Sequence, residues 1–376
     1  MTIYLDYNAN TPLLPAVVDG MLPFLREHFG NPSSSHDYGR PARDAVERAR
    51  AQVADLLGCA TEDVIFTSGG TEANNLAIRG AAEGSARRRV VTSSIEHPAT
   101  SEPCRYLAEH GWRVDLLGVD QAGRVDATEL RRRLDDETAL VTVMHANNET
   151  GMIQPIAELA AAAHERGAIV HTDAAQSVGK VPVRVNELGV DLLSVAGHKV
   201  NAPKGVGALY VRPGTRVLPF ARGAGHERGL RPGTENVASI VGLGIACALA
   251  SERLVTSTYA TRTLRDRLWD RLRESVPGLR LHGQETERLP NTLNVGFPDV
   301  LGSSVLGSTP EVAASTGSAC HAGGETASSA ILAMGIDPVE ALGAVRLSVG
   351  VTTTTHDVDA AAGALVRGWR AAREKR

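Results

Sequence analysis

The sequence has only four cysteines in 376 residues, Cys59, Cys104, Cys247 and Cys320, widely separated and without a C-x-x-C pair. That spacing suggests neither a zinc site nor a disulfide framework. It also lacks an excess of charge: 39 Lys and Arg face 43 Asp and Glu, a formal net charge of −4. Such a balance argues against a broad nucleic-acid-binding surface, although a local basic patch stays open. No stretch reads as long and apolar enough to cross a membrane. The opening Met1-Thr2-Ile3-Tyr4-Leu5-Asp6 has neither the basic nor the apolar region of a secretory leader. These absences predict a cytoplasmic protein with reduced thiols and no membrane contact. Internal repeats and low-complexity linkers are missing too. What is present is an ordinary globular balance, 43% hydrophobic and 22% charged, in a chain long enough for about two domains.

The stretch 168–199 carries the most information. Ala168-Ile169-Val170 runs into His171-Thr172-Asp173, and Asp191-Leu192-Leu193-Ser194-Val195-Ala196 runs into Gly197-His198-Lys199. Both predict short, buried strands of a parallel sheet. Ligands of open α/β sheets gather at the carboxyl ends of strands, which would place Asp173 and Lys199 at one pocket. The two form a plain ion pair, lie on a solvated face or serve a ligand. Pyridoxal phosphate needs this pair: an amine for a Schiff base and an acid beside the pyridinium nitrogen.

In chain order, helices are predicted at 15–28 and 40–57, then a strand at 63–67 that stops at Ser68-Gly69-Gly70-Thr71-Glu72 before a helix resumes at Ala73. Bare backbone N–H groups, a hydroxyl and a helix dipole suit an anion there. A tight turn capped by Thr71 accounts for the same residues, and the Walker lysine is missing. Strands at 89–93, 113–117 and 139–145 alternate with helices in a βαβ rhythm. A strand at 206–211 is expected to return antiparallel. From Tyr259 to Ser275 an arginine-rich helix opens a second region, with strands at 279–281 and 292–295 and a closing helix at 356–373. Ile95-Glu96-His97-Pro98 and Met144-His145-Ala146-Asn147-Asn148-Glu149-Thr150-Gly151 bring an imidazole and amides to the same sheet edge. Cys320 lies in a small-residue stretch, where His321 could favour the thiolate. Cys59, Cys104 and Cys247 read as inert side chains.

The segments YLDYNANTP, GNPSSSH, FTSGGTEANNLAI, EHP, MHANNETGMIQPI, HTDAAQSVGK, GHKVNAPKGVGALY, GHERGLRPGTENV, TGSACHAG and AVRLSVG occur in that order. Together they resemble the NifS/IscS-type cysteine desulfurases of the class V aminotransferase group. The resemblance implies an α/β protein of the pyridoxal-phosphate-dependent fold type I, with a mostly parallel sheet sandwiched by helices. A large cofactor domain would span 14–254, and a smaller α/β domain would combine 1–13 with 255–376.

The resemblance also implies roles. Lys199 would hold the cofactor covalently, Asp173 would meet its ring nitrogen and Gln176 its phenolic oxygen. His97 would stack on the ring, with Asn147 beside it. Gly70, Thr71, Ser194 and His198 would bind the phosphate, completed by Thr234 from the other subunit of a homodimer. Arg346, helped by Asn147, would bind the carboxylate of L-cysteine. Lys199 would act as base, His97 as acid or base, and Cys320 would take the sulfur as a persulfide, leaving L-alanine. A sulfur-acceptor protein, an iron–sulfur scaffold or a nucleic-acid-thiolation enzyme, would receive it; neither a metal nor direct nucleic-acid binding is expected.

Three departures stand out: Asn10 in the ATTP segment, a compressed stretch from Gly302 to Thr316, and His321-Ala322-Gly323-Gly324 after the thiol instead of Thr-Ser. The Cys–His pair is also similar to selenocysteine lyase, and relatives that serve DNA-backbone phosphorothioation share features. Selenocysteine lyase, or another pyridoxal-phosphate enzyme of this fold, is the alternative reading.

Overall fold

Seven short strands hydrogen-bond into one sheet in the order 64–67, 207–211, 192–196, 169–173, 138–142, 89–93, 113–117, the last an edge strand that is largely exposed. All run parallel except Gly207–Val211, which is antiparallel to both neighbours, as the sequence predicts. Continuous burial along the central strands is what a parallel sheet covered by helices requires. This computed structural model describes residues 2–375 apart from Glu285, Ser318, Ala322 and Gly323, and without the side chains of 319–321, 324 and 325.

Helices cover both faces of the sheet, and two apolar clusters fill the spaces between. A third cluster gathers Leu5 with residues 268–372 around a three-stranded antiparallel sheet, 344–348, 292–296 and 280–281. Strand Ala344–Ser348, which carries Arg346, has no counterpart in the sequence expectations. The compressed stretch after Gly302 accommodates one short helix, Gly302–Gly307.

One element differs from expectation in kind. The helix predicted to start at Tyr259 is the second half of a continuous 39-residue helix, Val237–Ser275. Its apolar first half reaches a mean hydropathy of 1.6 over 18 residues, so one stretch is long and apolar enough to span a membrane, contrary to the sequence reading. In the fold, Ala238, Ile240, Leu243, Ala246 and Cys247 are buried in the main core with Val17, Val46 and Val53 of the first two helices. The arginine-rich half masked the continuity, because polarity changes along this helix without a breaking residue.

The parallel strands all end at one edge of the sheet. Gly207 lets the antiparallel strand pass close beneath the turn after 64–67. A Cβ there would lie 2.5 Å from the Val195 carbonyl oxygen and 2.7 Å from the Gly69 carbonyl carbon.

Candidate active site

A cavity of about 550 Å³ opens at this edge, and Asp173, Gln176, Lys199, His97, Thr71 and Arg346 all face it. Asp173 ends its strand buried. Its Oδ1 accepts from the Ala175 N–H at 2.9 Å and its Oδ2 from Asn74 Nδ2 at 2.7 Å. These two donors fix the carboxylate without neutralising it, since no ion pair to Asp173 forms among the described residues.

Lys199 follows strand Leu192–Ala196 in a single 3-10 turn, Gly197–Lys199. Its Nζ donates to the carbonyls of Ala9, at 2.8 Å, and Asn8. The plain ion pair with Asp173 is therefore not what the two residues form. Burial pushes the amine down to about 8, and the Arg346 charge pushes the same way against Asp173 and Asp6.

His97 caps the helix Pro98–Glu109: its Nδ1 accepts from the Ala99 N–H at 3.0 Å. In the neutral ring the proton therefore sits on Nε2. Burial lowers its basicity, with Asp173 opposing and Lys199 adding. His198, also at the cavity, is pushed down to about 4 by burial and the neighbouring lysines.

The phosphate turn is built as its residues suggest. Helix Gly70–Glu83 points its first N–H groups at the cavity, with the Thr71 hydroxyl beside them. Glu72 stands at the same end, where Arg231 pairs with it at 2.9 Å. A bare helix start, an amine of lowered basicity, a carboxylate with no cation and a donor amide in one cavity fit pyridoxal phosphate.

Comparison with known proteins agrees with this chemistry. Residues 3–361 match the Aminotransferase class-V family. The chain belongs to that family. Cysteine desulfurase IscS of Dictyoglomus turgidum is 44% identical over 362 residues, covering 95% of this chain and 92% of that protein. Among solved structures, a NifS-like protein superposes with a TM-score of 0.91 at 35% identity, over 98% of this chain and 99% of its own. SspA superposes with a TM-score of 0.83 at 35% identity, over 93% of this chain and 99% of its own.

Within this class V scaffold, two expected contacts are displaced. Asn147 is buried and spent on its own turn: its Oδ1 accepts from the N–H groups of Glu149 and Thr150, both at 2.9 Å, and its Nδ2 donates to the Ile95 carbonyl. Asn148, its neighbour, faces the cavity instead. Ser194 is fully buried with its hydroxyl 3.0 Å from His171 Nε2, and the wall position two residues on is Ala196, which has no hydroxyl. Ser194 therefore does not reach the phosphate end.

Thr234 is exposed and stays outside its own chain's cavity. Cys320 lies on strand Ala319–His321, paired with Gly324–Thr326, and its side chain is outside the described residues. Of the other cysteines, Cys104 and Cys247 are buried and Cys59 is half-buried. Burial pushes all three thiols up to about 12, the inert state expected of them.

Sequence reasoning missed Lys180. Its Nζ donates to Gln176 Oε1 at 2.9 Å, and burial, then Lys199 and Arg346, push it down to about 7. Gln176 Nε2 in turn donates to the Asn8 carbonyl at 3.0 Å. The available signal was a lysine four residues after Gln176 in the same tight segment.

Proposed function

We propose that this cavity converts L-cysteine to L-alanine and passes the sulfur to Cys320 as a persulfide. The observation that carries the reading is Lys199 and Arg346 facing one cavity, the amine held down to about 8 beside the guanidinium. SspA, a relative solved in complex with cysteine, supports L-cysteine as the substrate.

Pyridoxal 5′-phosphate, when bound, would supply an electron sink for the charge that develops at the substrate Cα. Lys199 would hold it through Nζ, Asp173 at the ring nitrogen, Gln176 at the phenolic oxygen and His97 over the ring face. Gly70, Thr71 and His198 would take the phosphate, with Thr234 of the partner subunit in a homodimer. Arg346 receives the substrate carboxylate, where a planar fork of donors suits it, and Asn148 lies next to it at the cavity wall.

The Lys199 amine, once free, takes the Cα proton, because lowered basicity leaves a usable neutral fraction near pH 7. His97, with its proton on Nε2, is placed to exchange a proton with the substrate thiol. The Cys320 thiolate then attacks the substrate sulfur. A sulfur–sulfur bond forms, the carbon–sulfur bond breaks, and its electron pair stays with the three-carbon fragment that is protonated to alanine. Such a thiol works in a reducing compartment, which supports a cytoplasmic location. The persulfide would pass to an acceptor protein, an iron–sulfur scaffold or a thiolation enzyme, docking near Cys320. The separate apolar clusters support a cofactor part at 14–254 and a smaller part of 1–13 with 255–376.

The test is alanine release from sulfur-labelled L-cysteine, with L-selenocysteine in parallel. Lys199→Ala should abolish release, and Cys320→Ser should remove protein-bound label. High activity on selenocysteine with almost none on cysteine would make the enzyme a selenocysteine lyase. Undiminished turnover in Cys320→Ser would point to other pyridoxal-phosphate chemistry.

A further inference from the structure

Arg346 does not wait empty for a carboxylate. Its Nη2 donates to Asp6 Oδ1 at 2.7 Å and its Nη1 to the Asn148 carbonyl at 3.2 Å. Among the described residues its Nε, buried, has no partner. A substrate carboxylate gripped by two N–H groups must use one of the terminal nitrogens together with Nε or with each other. Each terminal nitrogen already has one of its two N–H groups engaged, that of Nη2 by a carboxylate. A second carboxylate arriving there meets like charge at close range.

Asp6 has a second attachment. Its Oδ2 accepts from the Ser315 hydroxyl at 3.0 Å. Ser315 is also bonded to Arg346 through the backbone, its carbonyl accepting from the Arg346 N–H at 2.7 Å. It stands four residues before the strand Ala319–His321 that carries Cys320. One side chain from the start of the sequence thus holds both the substrate clamp and the root of the thiol-bearing hairpin.

We propose that Asp6 occupies Arg346 in place of the substrate carboxylate, and that the arriving substrate displaces it and so releases the hairpin root at Ser315. The proposal rests on the desulfurase reading above. Asp6 is a positioning residue: it touches neither reacting atom, and it couples occupancy of Arg346 to the thiol. The root of the thiol strand has a side-chain tether while the clamp lacks substrate and keeps only the backbone bridge to Arg346 once the clamp is filled, because the substrate binds only the arrangement in which Asp6 has let go.

The holoenzyme with L-alanine as the carboxylate probe tests this. Affinity is read from the cofactor absorbance and the hairpin root from amide hydrogen exchange over residues 313–317. In the wild type, L-alanine should speed that exchange by about tenfold. Asp6→Asn should exchange fast without ligand and bind L-alanine about tenfold more tightly, having no charge to displace. Ser315→Ala cuts one attachment and leaves the charge: it should exchange fast without ligand and bind L-alanine more tightly than wild type by about threefold, less than Asp6→Asn, because the tether no longer has to be broken. It decides the matter if Asp6→Asn does not fold.

Weaker L-alanine binding by Asp6→Asn with slow exchange overturns the proposal, since Asp6 would then only orient the guanidinium. Unchanged wild-type exchange on L-alanine binding overturns it too, while alanine release from L-cysteine keeps the activity reading intact. A wild type that neither binds L-alanine nor releases it from L-cysteine sinks the activity reading and the proposal with it.

Discussion

Lys199 is the residue on which the proposed chemistry turns, and its charge state is set by what surrounds it. An amine at its ordinary value of 10.5 is almost wholly protonated at neutral pH; at about 8, roughly a tenth is free at pH 7. Burial is the larger cause and the Arg346 charge the next. Removing that cation makes the protonated amine easier to keep, so the titration should move up. The rate of cofactor uptake by the apoprotein should therefore rise with pH around a midpoint near 8, and Arg346→Ala should shift the midpoint toward 10.5. Stopped-flow absorbance across pH 6–11 reads both.

Asn147 and Asn148 show how far residue-level reading reaches. Both amides lie in a segment that plainly ends at the ligand edge. Which one faces the cavity depends on the turn that Asn147 closes with its own side chain, and composition carries no trace of that choice. Asn147→Ala should lower stability by about 1–3 kcal/mol, since buried donors lose their acceptor. Asn148→Ala should leave denaturant unfolding nearly unchanged and weaken L-cysteine binding. Ser194 is the same case across strands: its partner His171 lies on the neighbouring strand, a pairing that emerges only from the register.

At the scale of elements, the inner parallel strands were legible because burial on both faces writes them as largely apolar runs. Strand Ala344–Ser348 was not, being interrupted by Arg346, whose partner Asp6 is 340 residues away. The turn Glu227–Gly229 was equally hidden. Three successive residues there adopt the left-handed region, with φ of 46°, 57° and 80°, a conformation that costs the two non-glycine residues about 1–3 kcal/mol each. What holds it is a buried carboxylate. Glu227 takes both terminal nitrogens of Arg50 at 2.8 Å and the Phe66 N–H at 2.7 Å. The turn leads directly into the exposed segment bearing Thr234. Glu227→Gln keeps the shape but leaves the buried Arg50 guanidinium only the exposed Glu47 carboxylate, at 3.3 Å, so stability should fall by about 2 kcal/mol in denaturant unfolding. The cofactor should also be lost faster on dialysis, because the Thr234 segment loses its anchor.

At the scale of the whole molecule, the exposed position of Thr234 makes a prediction that no single chain can satisfy. If Thr234 completes the phosphate site of the partner subunit, each active site draws Lys199 from one chain and Thr234 from the other. Lys199→Ala homodimers should then be inactive and Thr234→Ala homodimers should retain cofactor poorly. When the two variants are unfolded together and refolded into mixed dimers, one site of each mixed dimer receives both lesions and the other receives neither. Half of the dimers are mixed in a random assembly, each with one of its two sites intact, so alanine release should return to about a quarter of the wild-type rate. A site complete within one chain gives a different answer: every Lys199→Ala subunit stays dead and every Thr234→Ala subunit stays impaired. Mixing then adds nothing beyond the average of the parents. The recovered rate separates the two arrangements.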